Sequence, residues 1–419
     1  MRGTAWTLAL LLAISLFGIG RPLWSPDEPR EAEIGREMLL SPGVVPTLGG
    51  STFIEKPPLY YWTVAGVFAL TGKVSPATAR SVSAVSAFLT LLLVFLWGRR
   101  EFSAAVGAVA AIGLATSARF LISTHWVIID PLLMLFTTGA LWAGWSLING
   151  AGRQATAVFC GTLALALWTK GLIGPVLVGS GLAAYCLAEY RRAPWRRLRI
   201  VTALAVMLAA TGVLAWAIYA TAGTAAVREW FWVNHIERFF DPQGTGHEQP
   251  FTYYLWAIPV AMLPWWLAAL ESLRPANWRG AGAGVAVKRY WGLIAVGMAV
   301  VLSASATKRE IYLLPLLPPL FLVVAANVVA AWNDATKNLA RAIQWWAQVA
   351  LSAAFATAPV ITVGVYLGTV DAVVVTFLIA VAAIVTAVVA FAVLGRMKHA
   401  LGSLLACTVA GSVSAQCLF

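Results

Sequence analysis

Long apolar runs broken by short polar segments fill the chain. Runs long enough to cross a bilayer as a helix recur about thirteen times. They fall at 4–20, 79–97, 103–121, 131–149, 155–169, 172–189, 200–220, 253–270, 290–306, 311–330, 345–367, 372–395 and 400–416. The run from Leu59 to Gly72 differs. It is short and opens on Pro57-Pro58 and the aromatic group Tyr60-Tyr61-Trp62, so a helix lying in the membrane interface is expected there rather than a span. Polar positions gather in two long breaks, 21–78 and 221–252; the breaks 120–130, 170–171, 307–310 and 368–371 are short. In the first break, Arg30, Glu31, Glu33, Arg36 and Glu37 follow Asp27 and Glu28 at spacings that predict a short amphipathic helix on the membrane surface. No repeat, low-complexity linker or separate soluble segment interrupts 1–419, which reads as one transmembrane domain with no soluble domain after the last span.

Composition narrows the class. The 419 residues are 60% hydrophobic and 11% charged, with a mean hydropathy of +0.81, too apolar for a soluble domain. Helices are required, because the weak alternation of outer-membrane strands is missing. The 20 Trp residues suit membrane interfaces. With the N-terminus inside, 17 of the 29 basic residues fall in inner loops, against only Glu101, Glu189, Glu271 and Asp334 among the acids. The net charge of +12 is then a topological signal, and no nucleic-acid partner is implied. Nearly every unusual polar residue falls on the outer face. Cys160, Cys186, Cys407 and Cys417 lie in or at the end of apolar runs and form no CxxC pair, so neither a disulfide framework nor a cysteine metal site is expected. Arg2 and the run from Ala5 to Gly20 read as a retained anchor. There is no phosphate-binding Gly-Lys-Ser/Thr loop and no dinucleotide fingerprint. An outward-facing enzyme would therefore need a donor already in the membrane, a requirement a polyprenyl-phosphate sugar meets.

Several polar residues carry two readings each. Asp27 is either a cap or solvated loop charge, or a carboxylate held at headgroup level to accept a proton from a hydroxyl. In Glu55-Lys56-Pro57-Pro58 the prolines stiffen the backbone beside Lys56, which suits either a phosphate or snorkelling to lipid headgroups. His247 is a surface histidine, or a ligand if another loop brings a carboxylate such as Glu55 beside it. Arg238 binds an anion or a lipid headgroup. Asp130, followed by Pro131, reads as a helix N-cap, with a cavity role open. Lys170 reads as a snorkelling lysine. Adjacent Lys308 and Arg309, with Tyr312, are costly between spans unless they face an anion or water.

The ordered motifs then carry a resemblance. Asp27-Glu28-x-Arg30, Glu37-Met38, Glu55-Lys56-Pro57-Pro58-Leu59-x-Tyr61-Trp62, Ala79-Arg80, Asp130-Pro131-Leu132-Leu133, Lys170-Gly171, Asn234-x-x-x-Arg238-Phe239, His247-x-x-Pro250-Phe251-x-Tyr253-Tyr254, Leu263-Pro264-Trp265 and Lys308-x-x-x-Tyr312-x-x-Pro315 run in order from about residue 20 to 320. Together they resemble the bacterial lipid A aminoarabinose transferases, polyprenol-phosphate-sugar glycosyltransferases related to protein O-mannosyltransferases. The resemblance implies an all-α, multi-pass GT-C fold in the bacterial inner membrane, with the 21–78 and 221–252 loops on the periplasmic side and the catalytic motif in the first. It implies a catalytic role for Asp27, donor-phosphate contacts from Arg30 and Lys56, with Tyr312, Lys308 and Arg238 lining that pocket, and support from Glu28 and Asp130. It also implies a divalent metal ion at Glu55 and His247. The partners implied are a polyprenyl-phosphate sugar, either 4-amino-4-deoxy-L-arabinose or another monosaccharide, and an acceptor that is lipid A or another envelope glycolipid or protein. Family members often continue into a soluble periplasmic domain, which is not expected here. The rival class is a lipid or sugar transporter or flippase; it predicts inverted repeats or helices broken at mid-membrane, which the sequence does not show.

Overall fold

The computed structural model describes residues 2–24, 26–189, 195–240 and 247–332. The three runs expected at 345–367, 372–395 and 400–416, with Cys407 and Cys417, lie outside them. Each of the ten runs expected before residue 332 forms helix. In order, α1 is Arg2–Leu16, α2 Asp27–Leu40, α3 Leu59–Thr71, α4 Pro76–Glu101, α5 Ala104–Ala115, α6 Ala118–Thr124, α7 Asp130–Ile148, α8 Arg153–Lys170, α9 Ile173–Ala188 and α10 Ile200–Arg228. Helices Ala283–Ala304 and Leu317–Trp332 close the described bundle. Among the described residues, five helices are long and apolar enough to cross a membrane, or up to seven if each of two bent pairs counts as one span.

Three departures from the expected spans matter. The run 103–121 bends by 66° between α5 and α6, and the run 253–270 bends by 114° between Tyr253–Ala261 and Trp266–Leu273. Pro264 stands at the second bend, where its missing N–H and ring stop the first helix. The segment 221–252, expected as a loop, stays helical to Phe240. Gly223 turns the chain at φ 79°, and a π-helical stretch follows over Glu229–Glu237. A left-handed φ is open to glycine at little cost, so the helix is redirected rather than ended.

The segment between α1 and α4 is built around α2. Asp27 and Glu28 occupy its first turn, where carboxylates complement the unpaired N–H groups. Pro29 costs nothing there, since the first turn has no N–H bonds to lose. Helix α2 buries Glu28, Glu31, Ile34, Gly35 and Met38, one stripe at helical spacing. That stripe packs on α3 through Tyr60, Tyr61, Val64, Ala65 and Phe68. A side chain at Gly35 would strike Val64 at 2.4 Å, so the approach of the two helices depends on that glycine. A two-stranded hairpin, β1 Thr47–Leu48 and β2 Ser51–Thr52, is tied back to α2 by Glu37, which accepts from Thr47 Oγ1 at 2.6 Å and Gly49 N at 2.7 Å.

Arg80 and Glu28 anchor this segment to the bundle. Both side chains are fully buried. Arg80 donates to Glu28 through Nε at 2.7 Å and Nη2 at 2.8 Å, and also to the carbonyls of Ile19, Arg21 and Pro22. Glu28 accepts in turn from Trp24 N at 2.7 Å and Val127 N at 2.9 Å. Arg80 and Glu28 thus fasten the segment that follows α1, the start of α2 and the segment leading into α7.

Candidate functional site

The segments joined by the Arg80–Glu28 pair wall one side of a cavity of about 770 Å³. Asp27, Arg30, Glu55, Lys56, Asp130, Lys170, Arg238, His247, Arg309 and Tyr312 all border it. Residues up to 282 apart in sequence meet there. A second, apolar lobe of about 320 Å³ shares Glu55, Lys56, Asp130, Lys170, Arg238 and Tyr312 with it, and continues past Leu133, Ile173, Val176, Leu177, Val301 and Leu302. The space is amphipathic: charged at one end, and lined by bundle helices at the other.

Each lysine or arginine bordering the cavity is held by a carboxylate. Arg30 lies 3.1 Å from Asp27 and 2.7 Å from Glu31. Arg309 meets the other oxygen of Asp27 at 3.2 Å. Glu55 joins Lys56 at 2.7 Å and Arg238 at 3.0 Å. Lys170 bonds Asp130 at 2.5 Å and stands 4.6 Å over the ring of Tyr312. Glu31 is fixed from behind by the Tyr61 hydroxyl at 2.7 Å. Burial opposes ionisation of Glu55, but the Lys56 ammonium and the Arg238 guanidinium outweigh it and pull its carboxyl down to about 2. Burial, reinforced by Arg238 and Lys170, depresses the Lys56 ammonium, and Glu55 only partly restores it. An anion entering here would replace these carboxylates as the partner of several cations at once.

The sequence-level candidates divide on this geometry. Asp27, Arg30, Glu55, Lys56, Asp130, Arg238, His247 and Tyr312 share the main cavity. Glu28 does not reach it. One step along a helix turns a side chain by about 100°, so Glu28 points into the protein toward Arg80 while Asp27 faces the cavity. Lys308 is also turned aside: its Nζ donates to Ser305 O at 2.5 Å and Gln249 O at 2.8 Å. The strand-like segment at Thr307, paired with Glu248, sends successive side chains to opposite sides, and the neighbour, Arg309, is the one that meets Asp27. Asp130 does not cap its helix; its carboxylate is taken by Lys170, which is therefore no snorkelling lysine. Gly171 (φ 74°) makes room for His235, whose Nε2 would lie 1.7 Å from a side-chain carbon at that position. Lys170, Arg309 and Glu31 are the residues that sequence reasoning passed over or gave a lesser role. The signal for the first two was their charge beside a short break between spans.

A divalent metal fits this donor set poorly. Glu55 and His247 border the same cavity, but Glu55 is already bound to two cations. Among the described residues no group of three His, Cys, Asp or Glu side chains gathers at ligand spacing, and a protein zinc site needs at least three.

The model of the dolichyl-phosphate-mannose-protein mannosyltransferase family matches residues 19–231, a stretch that includes Asp27, Lys56, Asp130 and Lys170. The chain belongs to that family. It is 30% identical over 331 residues to the undecaprenyl phosphate-alpha-4-amino-4-deoxy-L-arabinose arabinosyl transferase of Edwardsiella ictaluri, covering 76% of this chain and 58% of that protein. To the same-named protein of Pseudomonas paraeruginosa it is 32% identical over 348 residues, covering 80% and 61%. The chain thus spans about three-fifths of the length of these curated relatives. Among solved structures it superposes on ArnT from Cupriavidus metallidurans bound to undecaprenyl phosphate with a TM-score of 0.77 at 22% identity, covering 99% of this chain and 77% of that one. On the archaeal oligosaccharyltransferase AglB from Archaeoglobus fulgidus the score is 0.53 at 14% identity, covering 99% and 56%. The fold is that of these multi-pass GT-C membrane proteins.

Proposed function

We propose that the chain is a glycosyltransferase of the bacterial inner membrane, with its site on the periplasmic face. It would move a monosaccharide from a polyprenyl-phosphate donor to lipid A or another envelope acceptor. The observation that carries this reading is the amphipathic cavity: Arg30, Lys56, Lys170, Arg238 and Arg309 ring its polar end, and an apolar lobe leads away from them between the helices. A phosphodiester on a long apolar tail has that shape and charge. The aminoarabinose transferases to which the chain is similar support 4-amino-4-deoxy-L-arabinose as the sugar. The undecaprenyl phosphate bound to ArnT from Cupriavidus metallidurans supports that lipid as its carrier.

In this reading Lys56 and Arg30 hold the donor phosphate, Arg238 and Lys170 complete its surroundings, and Tyr312 with Asp130 keeps Lys170 in place. Asp27 takes the proton of the acceptor hydroxyl as that oxygen attacks the anomeric carbon. The anomeric C–O bond to phosphate breaks, and polyprenyl phosphate leaves as an anion already surrounded by cations, so no general acid is required. Attack from the side opposite the phosphate inverts the anomeric centre.

Lys56→Ala removes a charge-assisted contact and should weaken binding of undecaprenyl phosphate about 10- to 100-fold. Equilibrium binding in detergent measures it, and an unchanged affinity would take Lys56 out of the phosphate site. The function itself is tested by mass spectrometry of envelope lipids from cells lacking the protein, complemented with wild type or Asp27→Asn. A sugar-sized mass present only with wild type is expected. An unchanged envelope, with glycoproteins also unaltered, would favour a transporter.

A further inference from the structure

A pocket of about 430 Å³ lies at the end of the bundle away from the main cavity. Three helices run from one site to the other. Helix α7 starts at Asp130 on the main cavity and reaches this pocket with Trp145 and Ile148. Helix α9 lines the apolar lobe with Ile173, Val176 and Leu177, and this pocket with Tyr185, followed by Glu189. Helix Ala283–Ala304 runs the other way, with Ala286 and Arg289 here and Val301 and Leu302 on the lobe. At about 1.5 Å per residue, α7 sets the two sites about 27 Å apart along its axis, close to the hydrocarbon thickness of a bilayer. The pocket therefore lies at headgroup level on the opposite membrane face.

Its wall suits an anion. Arg197 and Arg289 border it against one carboxylate, Glu189. Among the described residues Arg197 spends a single N–H, on the Ile148 carbonyl at 3.2 Å, so most of its guanidinium fork is open to a guest. Arg289 is fixed by the Trp278 carbonyl at 2.7 Å and by Glu189 at 3.2 Å. Tyr185 is 6% exposed, its ring held by Tyr290 and Trp145 at centroid distances of 5.0 and 6.4 Å. Its hydroxyl makes no hydrogen bond among the described residues, yet it is not sealed inside the protein. Glu189 and Arg289, both on the pocket wall, are its charged neighbours. A hydroxyl left unpaired on so buried a side chain is an unmet hydrogen bond that a ligand oxygen would take. Gly280, Ala281 and Gly282 form the rim, and the 22-residue helix Ala283–Ala304 begins there. The N–H groups of its first turn lack partners within the helix and carry partial positive charge. Arg196, Arg199 and Arg279 in the flanking chain add to the positive potential.

We propose that this pocket binds a phosphate group presented from the face opposite the main cavity, as the headgroup of an anionic phospholipid or as a free phosphate ester. Its oxygens accept from the Arg197 and Arg289 guanidinium groups and from the Tyr185 hydroxyl. Such a bridge joins the end of α7, which holds Arg197 through the Ile148 carbonyl, to α9 and to helix Ala283–Ala304. These are the helices whose opposite ends wall the main cavity and the apolar lobe. Binding here therefore stabilises the bundle without touching the donor site. The proposal goes beyond the glycosyltransferase reading and does not depend on sugar transfer.

The test is thermal unfolding of the delipidated full chain in nonionic detergent at constant ionic strength. It is titrated with short-chain phosphatidic acid, phosphatidylcholine of the same chain length, glycerol 3-phosphate and inorganic phosphate. Phosphatidic acid should raise the unfolding midpoint saturably, and mass action converts the shift to a Kd. Arg197→Ala should weaken that Kd about tenfold, and Arg197→Lys by less. Tyr185→Phe keeps the ring packing and should weaken it about threefold. Lys56→Ala should leave it unchanged, because Lys56 borders the main cavity and not this pocket. An equal shift with glycerol 3-phosphate or inorganic phosphate, sensitive to the same variants, identifies a free phosphate as the ligand; a shift with phosphatidic acid alone identifies a lipid headgroup. The proposal is overturned if none of the phosphates shifts the midpoint, or if phosphatidylcholine acts as strongly as phosphatidic acid. It is equally overturned if Lys56→Ala removes the shift while Arg197→Ala and Tyr185→Phe retain it, which would place the phosphate in the main cavity. Absence of undecaprenyl phosphate binding with this shift intact would instead defeat the donor-site reading and leave this one standing.

Discussion

Asp27→Asn is expected to abolish sugar transfer while the protein still folds and binds its donor. The expected fall in single-turnover rate is about 10²- to 10⁴-fold, the contribution of a positioned general base. Asparagine keeps the shape of aspartate but cannot take the proton. The two ion pairs lost are with Arg30 and Arg309, whose side chains are 36% and 37% exposed, so little stability goes with them. Thermal unfolding in detergent and undecaprenyl phosphate binding serve as controls. Turnover near wild type in a folded variant would remove Asp27 from the mechanism.

Arg80→Leu has the largest expected effect on stability. It leaves the buried Glu28 carboxylate with only the more distant Arg21, at 3.5 Å, as a cation, and strips a donor from the carbonyls of Ile19, Arg21 and Pro22. Breaking a buried pair on one side costs about 3–5 kcal/mol, and a large drop in the unfolding midpoint is the measurement. Replacing Glu28 by leucine as well should recover part of the loss, because the stranded charge is gone. A midpoint for Arg80→Leu equal to wild type would contradict the clamp. The pH dependence has a definite sign. Burial raises the Glu28 carboxyl, but Arg80 and the Trp24 and Val127 amides more than reverse this and hold it below its ordinary 4.5. A group depressed in the folded state contributes its stability above the ordinary value and loses it as pH falls through the depressed one. The clamp should therefore hold at neutral pH and weaken on the acid side of 4.5.

Hydrophobic length alone located most of the helices. The run read as 79–97 is α4 over Pro76–Glu101, and that read as 131–149 is α7 over Asp130–Ile148, because a stretch that must satisfy its backbone inside a membrane has few alternatives. The bends were hidden, since apolar side chains continue past both Thr116 and Pro264. The helical course to Phe240 was hidden for a related reason. Its Trp, Asn, His and Arg residues look like a loop by composition, although Trp230 is buried against Leu214 and Ile218.

Within the cavity, Asp27, Arg30, Glu55 and Lys56 were legible from the motifs of the 21–78 segment. Their pairing was not, because partners such as Lys170 for Asp130 and Arg309 for Asp27 come from distant breaks between spans. Local reading also misjudged direction. It could not know that α2 would start at Asp27 and turn Glu28 inward. Nor could it know that an extended backbone at Thr307 would send Lys308 away from Asp27 and Arg309 toward it.

The central claim is that the amphipathic cavity splits a lipid-linked sugar. Its most direct test is to incubate the purified full chain in detergent with undecaprenyl phosphate–4-amino-4-deoxy-L-arabinose and lipid A, and to quantify free undecaprenyl phosphate. The account predicts stoichiometric release with transfer of the sugar, lost in Asp27→Asn. An intact donor after prolonged incubation with folded, donor-binding wild type would contradict it.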